Sequence, residues 1–370
     1  MVISTDVVVI GAGPAGLAAA LALRARGLEV LVADGMGPEP IDKACGEGLM
    51  PDSVAALAHL GVNVLDTPHG RFNGIRFLGT GSAVEARFPC GCGVGVRRTA
   101  IHSLMTRAAV DAGVSLLWNS PAVALGKDRV QFASRTVNAK WIVGADGGFS
   151  AVRRWSGLND GMRSRERYGF RRHFRVTPWS HFVEVYWGDG CQIYVTPVGG
   201  NEVGVAVISR DRRLRVSDAV PRFPLLNARL RGAQPTSVER GAVSASRRLR
   251  RVTQSNMALI GDASGSVDAV TGEGLSLAFQ QAPALAAAIA CGDLSTYERA
   301  HARIRRTPAL MEEALLLLDG WRGLRNRVLP AMAARPRVFE HMLAGHVGAI
   351  GPWSLAGRLA TLGWAMLAIR

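Results

Sequence analysis

Three glycines and an aspartate near the amino terminus have the types and the spacing of a dinucleotide-binding site. Gly11, Gly13 and Gly16 form the pattern Gly-x-Gly-x-x-Gly, and Asp34 follows at the separation usual for a ribose-binding acid. In such a site the first glycine permits a tight turn, the second lets backbone N–H groups approach a pyrophosphate, and the third lets a helix pack closely on a strand. These residues therefore predict that the chain binds a dinucleotide.

A strand, a helix and a second strand are needed to position these residues, and the flanking sequence predicts all three. Residues 7–10 are an apolar run typical of a buried strand that ends at Gly11. A helix is predicted to begin in the next turn, where the missing N–H of Pro14 costs nothing, and to end near Gly27. Residues 29–33 form the second apolar run and lead directly to the acid.

Two further strands are predicted to end in a glycine followed by an acid. Residues 141–143 lead to Asp146, and residues 257–260 lead to Gly261 and Asp262. Acids at the carboxyl ends of strands lie where parallel α/β sheets bind their ligands. An aspartate in this place can also serve only as the N-cap of the next helix, and the sequence alone leaves both roles open.

The sequence pattern changes between these segments. Short β-prone runs separated by glycine and proline turns predict an antiparallel sheet inserted into the nucleotide-binding lobe. That lobe is therefore predicted to be discontinuous (1–70, 98–160 and 250–300), with a substrate-binding β-sheet lobe (71–97 and 161–249) and a C-terminal helical segment (301–370). Within the helical segment, breaks are predicted at Pro308, Pro330, Pro336 and Pro352.

The chain is strongly basic, with a net charge of +15 among its 370 residues. All but three of its 44 basic residues are arginine, and they are scattered along the chain. Because no basic stripe interleaves with aromatic residues, the composition argues against nucleic-acid binding. A positive field instead favours an anionic substrate or a membrane surface.

Five cysteines without a C-x-x-C pair argue against a disulfide framework and for a reduced, cytoplasmic location. Cys90 and Cys92 are interpreted as small loop residues, with a redox-active or metal-binding pair as the alternative, and no other spacing suggests a metal site. The first apolar run is the strand before Gly11, so no signal peptide or spanning helix is expected. Residues 351–369 leave open a surface-seeking tail and thus a peripheral membrane contact.

Three motifs together resemble those of FAD-dependent oxidoreductases with the aromatic-hydroxylase-like fold, and in particular the geranylgeranyl-reductase-related branch. They span most of residues 5–290 and comprise Gly11–Gly16 with Asp34, Gly144-Ala-Asp146-Gly147 with Ser150 and Arg153, and Gly261-Asp262-Ala263 followed by Thr271-Gly272-Glu273-Gly274. The resemblance implies an α/β fold with a discontinuous Rossmann-type FAD-binding lobe, an inserted antiparallel β-sheet substrate lobe and a C-terminal helical segment.

The resemblance also implies which residues hold FAD. Asp262 is expected to bind the ribityl chain, and Asp146 to lie on the pyrophosphate side where a pyridine nucleotide would approach. Arg98 matches the family arginine that reaches the cofactor, with Arg97 as the competing assignment. The full expected set is Gly11, Gly13, Ala15, Gly16, Asp34, Arg98, Asp146, Gly261, Asp262, Gly272 and Gly274, of which the last two glycines would direct N–H groups at the flavin ring.

The segment Lys43–Gly48 resembles the Lys-x-Cys-Gly-Gly stretch of the reductases, with Glu47 in place of a glycine. By this resemblance Cys45 lies near the flavin, where its thiol could donate a proton or tune the ring, or could simply pack. Tyr194 stands in the place of a reductase element whose tryptophan and phenylalanine are absent here, which weakens the inference of the same lipid substrate.

Several other side chains are candidates for the substrate face or for the protein interior. Tyr186, Trp187 and Tyr194 could line the substrate face of the flavin, although core packing is the more common role of such aromatics. His173 and His181 lie among arginines and are expected on solvated faces.

The leading hypothesis is an NAD(P)H-dependent monooxygenase that hydroxylates a lipophilic or phenolic small molecule, because oxygen transfer needs a dry pocket more than catalytic side chains. The alternative is a reductase of C=C bonds in a prenyl or lipid substrate, with Cys45, Tyr194 or Glu273 as proton donor. A second alternative is a non-catalytic flavoprotein or electron-transfer partner. Since only one Gly-x-Gly-x-x-Gly occurs, NAD(P)H would visit the flavin lobe transiently, or a separate reductase would supply electrons. The oligomeric state is open.

Overall fold

The computed structural model describes residues 2–79, 81–160 and 165–350. The strands are β1 (Val2–Ile10), β2 (Val30–Ala33), β3 (Gly48–Leu49), β4 (Gly70–Phe72), β5 (Gly74–Gly79), β6 (Ser82–Arg87), β7 (Gly93–Gly95), β8 (Ser115–Leu117), β9 (Ala122–Leu125), β10 (Arg129–Phe132), β11 (Thr136–Gly144), β12 (Arg165–Arg175), β13 (Val183–Trp187), β14 (Cys191–Gly199), β15 (Glu202–Ser209), β16 (Gln234–Pro235), β17 (Arg240–Ser246), β18 (Thr253–Gln254) and β19 (Met257–Leu259). The helices are α1 (Pro14–Arg24), α2 (Pro51–His59), α3 (Arg98–Asp111), α4 (Ala151–Trp155), α5 (Val216–Ala219), α6 (Pro224–Arg229), α7 (Gly274–Ala290), α8 (Leu294–Gly320), α9 (Arg322–Ala334) and α10 (Pro336–His346).

The first sheet is the Rossmann-type layer, with the order β18-β19-β11-β1-β2-β8. β1 pairs in parallel with both β11 and β2, so that Val9 lies opposite Val143 and Val32. Its apolar run is fully buried because α1, α3 and α7 pack around the sheet, as expected for a parallel sheet covered on both faces. The carboxyl ends of β1, β11 and β19 therefore meet at one edge.

The second sheet has the order β16-β12-β15-β14-β13-β5-β6, with β17 also on β12. Its pairings are antiparallel except that β13 runs parallel to β5, with Val183 opposite Ile75. A short third sheet, β3-β7-β4, lies beside it. The structure confirms the α/β fold class with an inserted, largely antiparallel sheet and C-terminal helices. The exact boundaries between the lobes stay a prediction.

The C-terminal helices correct part of the sequence analysis. Pro308 lies inside α8 and Pro330 inside α9, so neither residue breaks a helix, whereas Pro336 begins α10. A proline removes one backbone hydrogen bond, but both prolines lie in helices that bury an apolar face against the second sheet, and this packing outweighs the local cost. Pro352 lies outside the described residues.

One smaller expectation also changes. Helix α1 ends at Arg24 with Ala25 as its cap, and Gly27 adopts φ +77° in the turn that follows. No helix in residues 2–79, 81–160 or 165–350 is both long and apolar enough to cross a bilayer. The tail expected at 351–369 lies outside the described residues.

Candidate functional site

The glycines after β1 differ in what surrounds them. A Cβ on Gly11, which has φ +108°, would lie 2.5 Å from the Ala145 carbonyl oxygen, and one on Gly16 would lie 1.8 Å from the Gly11 oxygen. A Cβ on Gly13 would meet no atom within 4 Å. Gly11 and Gly16 thus permit the close approach of strands and helix, while Gly13 leaves open space at the N-terminus of α1. Free N–H groups and the helix dipole favour an anion there.

Asp34 is held rigidly beside this open space. Its Oδ2 accepts a 2.6 Å hydrogen bond from the Ala12 N–H, and its Oδ1 accepts a 2.8 Å bond from the Met36 N–H. Because each carboxylate oxygen can accept a second bond, the side chain remains able to receive a ribose hydroxyl. The predicted ribose role is therefore compatible with the geometry.

A cavity of about 680 Å³ runs from this edge of the first sheet to the second sheet. One end is lined by Gly13, Asp34, Arg98 and Asp146, and the other end is apolar. The apolar lining consists mainly of Phe72, Phe77, Val183, Met311, Leu315 and Phe339. This division suits a ligand with a polar, anionic part and a separate lipophilic molecule that meets it.

The turn after β19 closes one side of the polar end. Gly261 has φ +61°, and a Cβ there would lie 2.6 Å from the Ala15 Cβ, so the turn packs directly on the start of α1. Asp262 lines the cavity with its Oδ2 3.8 Å from Lys43 Nζ, and both side chains are about 40% exposed. Asp262 is thus accessible to a polar ligand.

Asp146 combines the two roles that the sequence left open. Its Oδ2 accepts hydrogen bonds from the N–H groups of Ala151 (2.7 Å) and Val152 (3.1 Å) at the start of α4, which is a capping role. Its Oδ1 is buried at the cavity and finds no hydrogen-bond partner in the described part of the chain. One oxygen therefore holds the loop while the other stays available.

The structure separates the two candidate arginines. Arg97 turns toward the second sheet, where its Nη2 lies 2.7 Å from Glu202 Oε2 and 3.1 Å from Thr236 Oγ1. Arg98 lines the cavity, and its buried Nε has no partner among the residues that the structure describes. The geometry thus favours Arg98 as the cofactor arginine.

The loop before α7 offers backbone groups to the same cavity. Gly272 adopts φ +71°, and a Cβ added to Gly272 or to Gly274 would meet no atom within 4 Å. Both residues line the cavity, and Gly274 is the first residue of α7. This arrangement is what the resemblance implies for contact with a flavin ring.

Glu47 and His173 form a buried polar cluster that the sequence analysis missed. Glu47 Oε1 accepts a 2.9 Å bond from the Arg98 N–H, and Oε2 lies 2.6 Å from His173 Nε2, with Arg171 Nε 3.6 Å from Oε1. The expectation that His173 is solvated is wrong, because it is 2% exposed and its Nδ1 lies 2.8 Å from Ser237 Oγ. Alternation along β12 turns Arg171 and His173 inward together.

The backbone at Glu47 is strained, with φ +58°, in the left-handed region that favours glycine. Its carboxylate binds the cluster on β12 and the first turn of α3, and these contacts offset the free-energy cost of the strained backbone. The same residue precedes β3 and follows Cys45, so the contacts fix the loop that borders the cavity.

We expect Glu47→Ala to destabilise the protein by about 1–3 kcal/mol. The change removes one of the two carboxylates beside buried Arg171 and leaves the Arg98 N–H and His173 Nε2 without this hydrogen-bond partner. Glu47→Gly should cost about 1 kcal/mol less, since glycine removes the left-handed strain. Urea unfolding of the apoprotein measures both differences. Exposed Ser255, with φ +53°, is the matched control for strain alone, and Ser255→Gly should only stabilise. A Glu47→Gln variant as stable as wild type would contradict the charge argument.

The three proposed proton donors occupy different surroundings. Cys45 lines the cavity, and its Sγ accepts a 3.4 Å contact from the Glu47 N–H. Tyr194 also lines the cavity, but its hydroxyl donates a 2.8 Å bond to the Val270 carbonyl, and burial raises its pKa. Glu273 is 3% exposed and makes no side-chain hydrogen bond through Oε2 to any described residue.

Glu273 lies beside His346, a residue that the sequence analysis did not single out. Glu273 Oε1 is 3.7 Å from His346 Nδ1, and His346 Nε2 lies 3.1 Å from the Thr271 carbonyl oxygen. Burial, with a smaller contribution from the Asp52 carboxylate, raises the pKa of Glu273 well above its ordinary value. Burial lowers the pKa of His346, so desolvation favours the uncharged form of both groups. His346 lines the cavity, which connects the acid to the ligand space.

Two of the candidate aromatics are core residues. Tyr186 is 3% exposed and donates a 2.7 Å bond to Glu184 Oε2, and Trp187 is packed against Phe77. Neither lines the cavity described above. Of the three, only Tyr194 reaches the substrate end.

These features fit the FAD that the motifs imply. The space at Gly13 suits a pyrophosphate, and Asp34 and Asp262 offer acceptors to hydroxyl groups. Asp146 Oδ1 and Arg98 Nε are buried atoms of cavity-lining residues and have no hydrogen-bond partner among the described residues, which leaves unused polar capacity beside the cavity. The individual roles of the expected residues stay predictions.

Comparison with known proteins matches the chain to a FAD-binding family and to several reductases. The FAD binding domain matches residues 4–294. The chain is 32% identical over 300 residues to menaquinone reductase of Mycobacterium tuberculosis, covering 74% of this chain and 73% of that protein. It is 27% identical over 342 residues to digeranylgeranylglycerophospholipid reductase 1 of Methanothermobacter thermautotrophicus, covering 81% and 82%. A geranylgeranyl bacteriochlorophyll reductase-like protein from Thermoplasma acidophilum superposes with a TM-score of 0.78 at 18% identity, covering 98% and 100%.

Proposed function

The chain belongs to the FAD binding domain family and is a FAD-dependent oxidoreductase, and from this premise we propose that it reduces a C=C bond in a prenyl or similarly lipophilic substrate. The observation that carries the proposal is the buried Glu273, whose Oε1 lies 3.7 Å from Nδ1 of the cavity residue His346 and whose pKa is raised by burial. Saturation of an isolated double bond requires a proton as well as a hydride, and such a pair can store and deliver one. The names of the two reductases compared above support the same direction.

The apolar end of the cavity is suited to hold the lipophilic substrate and to exclude water. Phe77, Met311 and Phe339 contribute aromatic and flexible side chains to this lining, and each is less than a tenth exposed. Reduced FAD, when bound, supplies the hydride. The residues around it therefore have to orient the double bond and provide the proton.

We assign the proton to the Glu273 carboxyl group and its delivery to His346. Glu273 Oε1 faces His346 Nδ1 at 3.7 Å, and His346 borders the cavity, so a small side-chain movement would let the proton pass. Tyr194 is the second candidate donor, although its hydroxyl proton is engaged by the Val270 carbonyl. Cys45 is better placed to contact the cofactor, because it lies on the loop at the polar end.

The electron donor is proposed to be NAD(P)H. The described chain has one dinucleotide-binding glycine motif, so a pyridine nucleotide would have to approach the cavity from solvent. Because a prenyl compound resides in lipid, the proposal also includes a peripheral location of the protein at a membrane.

Hydroxylation by a monooxygenase is the second candidate function. The dry apolar cavity supports it too, because oxygen transfer depends on water exclusion more than on an acid. Hydroxylation, however, gives no role to the buried acid Glu273 next to His346. The two reactions differ in their need for oxygen and in product mass.

Anaerobic turnover tests the proposal. The FAD-loaded protein is reduced chemically under nitrogen and mixed with a menaquinone carrying an unsaturated side chain, and the products are weighed by mass spectrometry. Gain of two hydrogen atoms in the side-chain fragment, measured after any quinol has been reoxidised to the quinone, is the expected result of the turnover without oxygen. A product that forms only in air and gains one oxygen atom would replace the proposal with hydroxylation. Unchanged substrate under both conditions, with other prenyl lipids included, would overturn both.

A further inference from the structure

Helix α8 and the residue directly after it expose three large apolar side chains. Leu310, Leu317 and Trp321 are 55%, 59% and 64% exposed. The seven-residue separation places Leu310 and Leu317 on one face of α8. Trp321, with φ −126° and ψ 92°, caps the helix at that end. We call these residues the outer face of α8.

The opposite side of the same helix is also apolar. Met311 and Leu315 are buried and line the apolar end of the cavity. A helix normally turns only one apolar face inward and leaves charged residues toward water. The outer face is therefore not explained by the packing of α8 in this chain, and contiguous exposed apolar residues mark interaction sites.

The charges around the outer face are predominantly positive. Arg303 and Arg306 are exposed on the same side of α8, and Arg322 follows Trp321 with its side chain 71% exposed. The exposed acids on this side are Glu313 and Asp189, and Asp189 Oδ2 pairs with Arg322 Nη1 at 3.0 Å, so Arg303 and Arg306 carry the positive charge along α8. Residues 301–350 contain eight arginines and four acids, and the whole chain carries a net charge of +15.

We propose that the outer face of α8 docks the protein on an anionic lipid surface. Leucine and tryptophan side chains insert at the boundary between headgroups and acyl chains, and arginines bind the anionic headgroups. This combination favours a membrane over an acidic protein, because both helix faces are apolar and the cavity lies directly behind the outer face. A lipophilic molecule could then pass between bilayer and cavity along a path one helix wide. The docking rests on this face and not on the reaction proposed above.

Vesicle flotation tests the proposal with the full-length, FAD-loaded protein. Wild type should float with vesicles of phosphatidylglycerol and phosphatidylcholine in equal parts, and much less with phosphatidylcholine alone. The variant L310Q/L317Q/W321Q should lower the vesicle-bound fraction at least about tenfold, because it removes the apolar contact. Its flavin absorbance should equal that of wild type, since all three positions are exposed.

The matched control replaces three equally exposed apolar residues on other elements. V110Q/L225Q/V238Q alters side chains that are 55%, 50% and 61% exposed and should float like wild type. If the outer-face variant still floats, the lipid contact lies elsewhere, residues 351–370 included, and the proposal is overturned. Equal flotation with neutral and anionic vesicles would also overturn it, as would capture by an acidic protein with no flotation at all.

Discussion

Gly13→Asp is expected to weaken FAD binding by roughly a thousandfold while leaving the apoprotein folded. The position has open space for a side chain, and it is the N-cap of α1, with φ −67° and ψ 174°. Aspartate is a preferred N-cap residue, so the apoprotein should be as stable as wild type or slightly more stable. The new carboxylate would however lie where the helix N-terminus attracts a pyrophosphate. Two like charges about 4 Å apart repel by about 4 kcal/mol at an effective dielectric constant near 20, which is about a thousandfold in affinity.

Titration of the apoprotein with FAD, followed by flavin fluorescence, measures the loss. Thermal unfolding of the apoprotein checks the fold. Gly13→Asn is the matched control, because it adds a capping side chain of nearly the same size as aspartate without a charge and should retain much more affinity. Wild-type affinity in Gly13→Asp would show that the pyrophosphate is not held at α1.

Glu273→Gln is expected to lower kcat for C=C saturation by about 10²–10⁴-fold, the range usual for loss of a general acid. Glutamine has nearly the same shape, so FAD binding and reduction of FAD by NAD(P)H should be unchanged. Stopped-flow measurement of flavin reduction, together with product formation, separates the two steps. The matched control is Glu312→Gln, which alters another buried carboxyl group with a raised pKa. Its Oε1 accepts hydrogen bonds from Ser246 Oγ and the Asp268 N–H instead of facing a histidine of the cavity.

The same residue sets a pH dependence with a defined sign. The native state keeps the Glu273 proton above the ordinary pKa of 4.5, where the unfolded state has lost it. Stability should therefore fall as the pH rises from about 4.5 toward the raised pKa, and kcat should fall as the pH passes through that pKa. Glu273→Gln should flatten this stability profile. If the Glu273→Gln variant kept full saturation activity, the proton donor would have to be Tyr194 or Cys45 instead.

The cofactor end of the molecule could be predicted well from sequence, because its constraints are local. The turn at Gly11 and the entry into α1 at Pro14 depend on residues close in sequence, and period and glycine spacing record such constraints directly. The choice between Arg97 and Arg98 could not be made in this way. It depends on Glu202 and Thr236, more than a hundred residues further along the chain.

The errors have a common physical origin in long-range packing. His173 looked solvated because its strand is rich in arginine, yet Glu47 reaches it from a distant loop. Pro308 was predicted to end a helix because the sequence shows only the low helix propensity of proline. The apolar contacts that stabilise α8 across this position are not visible in the sequence. His346 carried no local signal, since a single histidine in a helical segment has no partner in the sequence beside it.

The order of the two reactions also changes between sequence and structure. The sequence-based hypothesis placed hydroxylation before C=C reduction because no acid–base pair was evident. The pair is evident only in three dimensions, where α10 brings His346 to Glu273. Our proposal therefore places reduction first, and both reactions stay predictions.

Helices α8–α10 supply one wall of the cavity, whereas Gly13, Asp34 and Asp146 at its other end all come from earlier in the chain. The two ends of the cavity can thus change independently in evolution. Substitutions in α8–α10 alter which molecules the apolar end admits and leave the dinucleotide contacts intact. The order of synthesis separates the two ends in the same way. A nascent polypeptide contains Gly13, Asp34 and Asp146 before Phe339 and His346 are synthesised, so the residues of the dinucleotide end precede those of this wall of the apolar end.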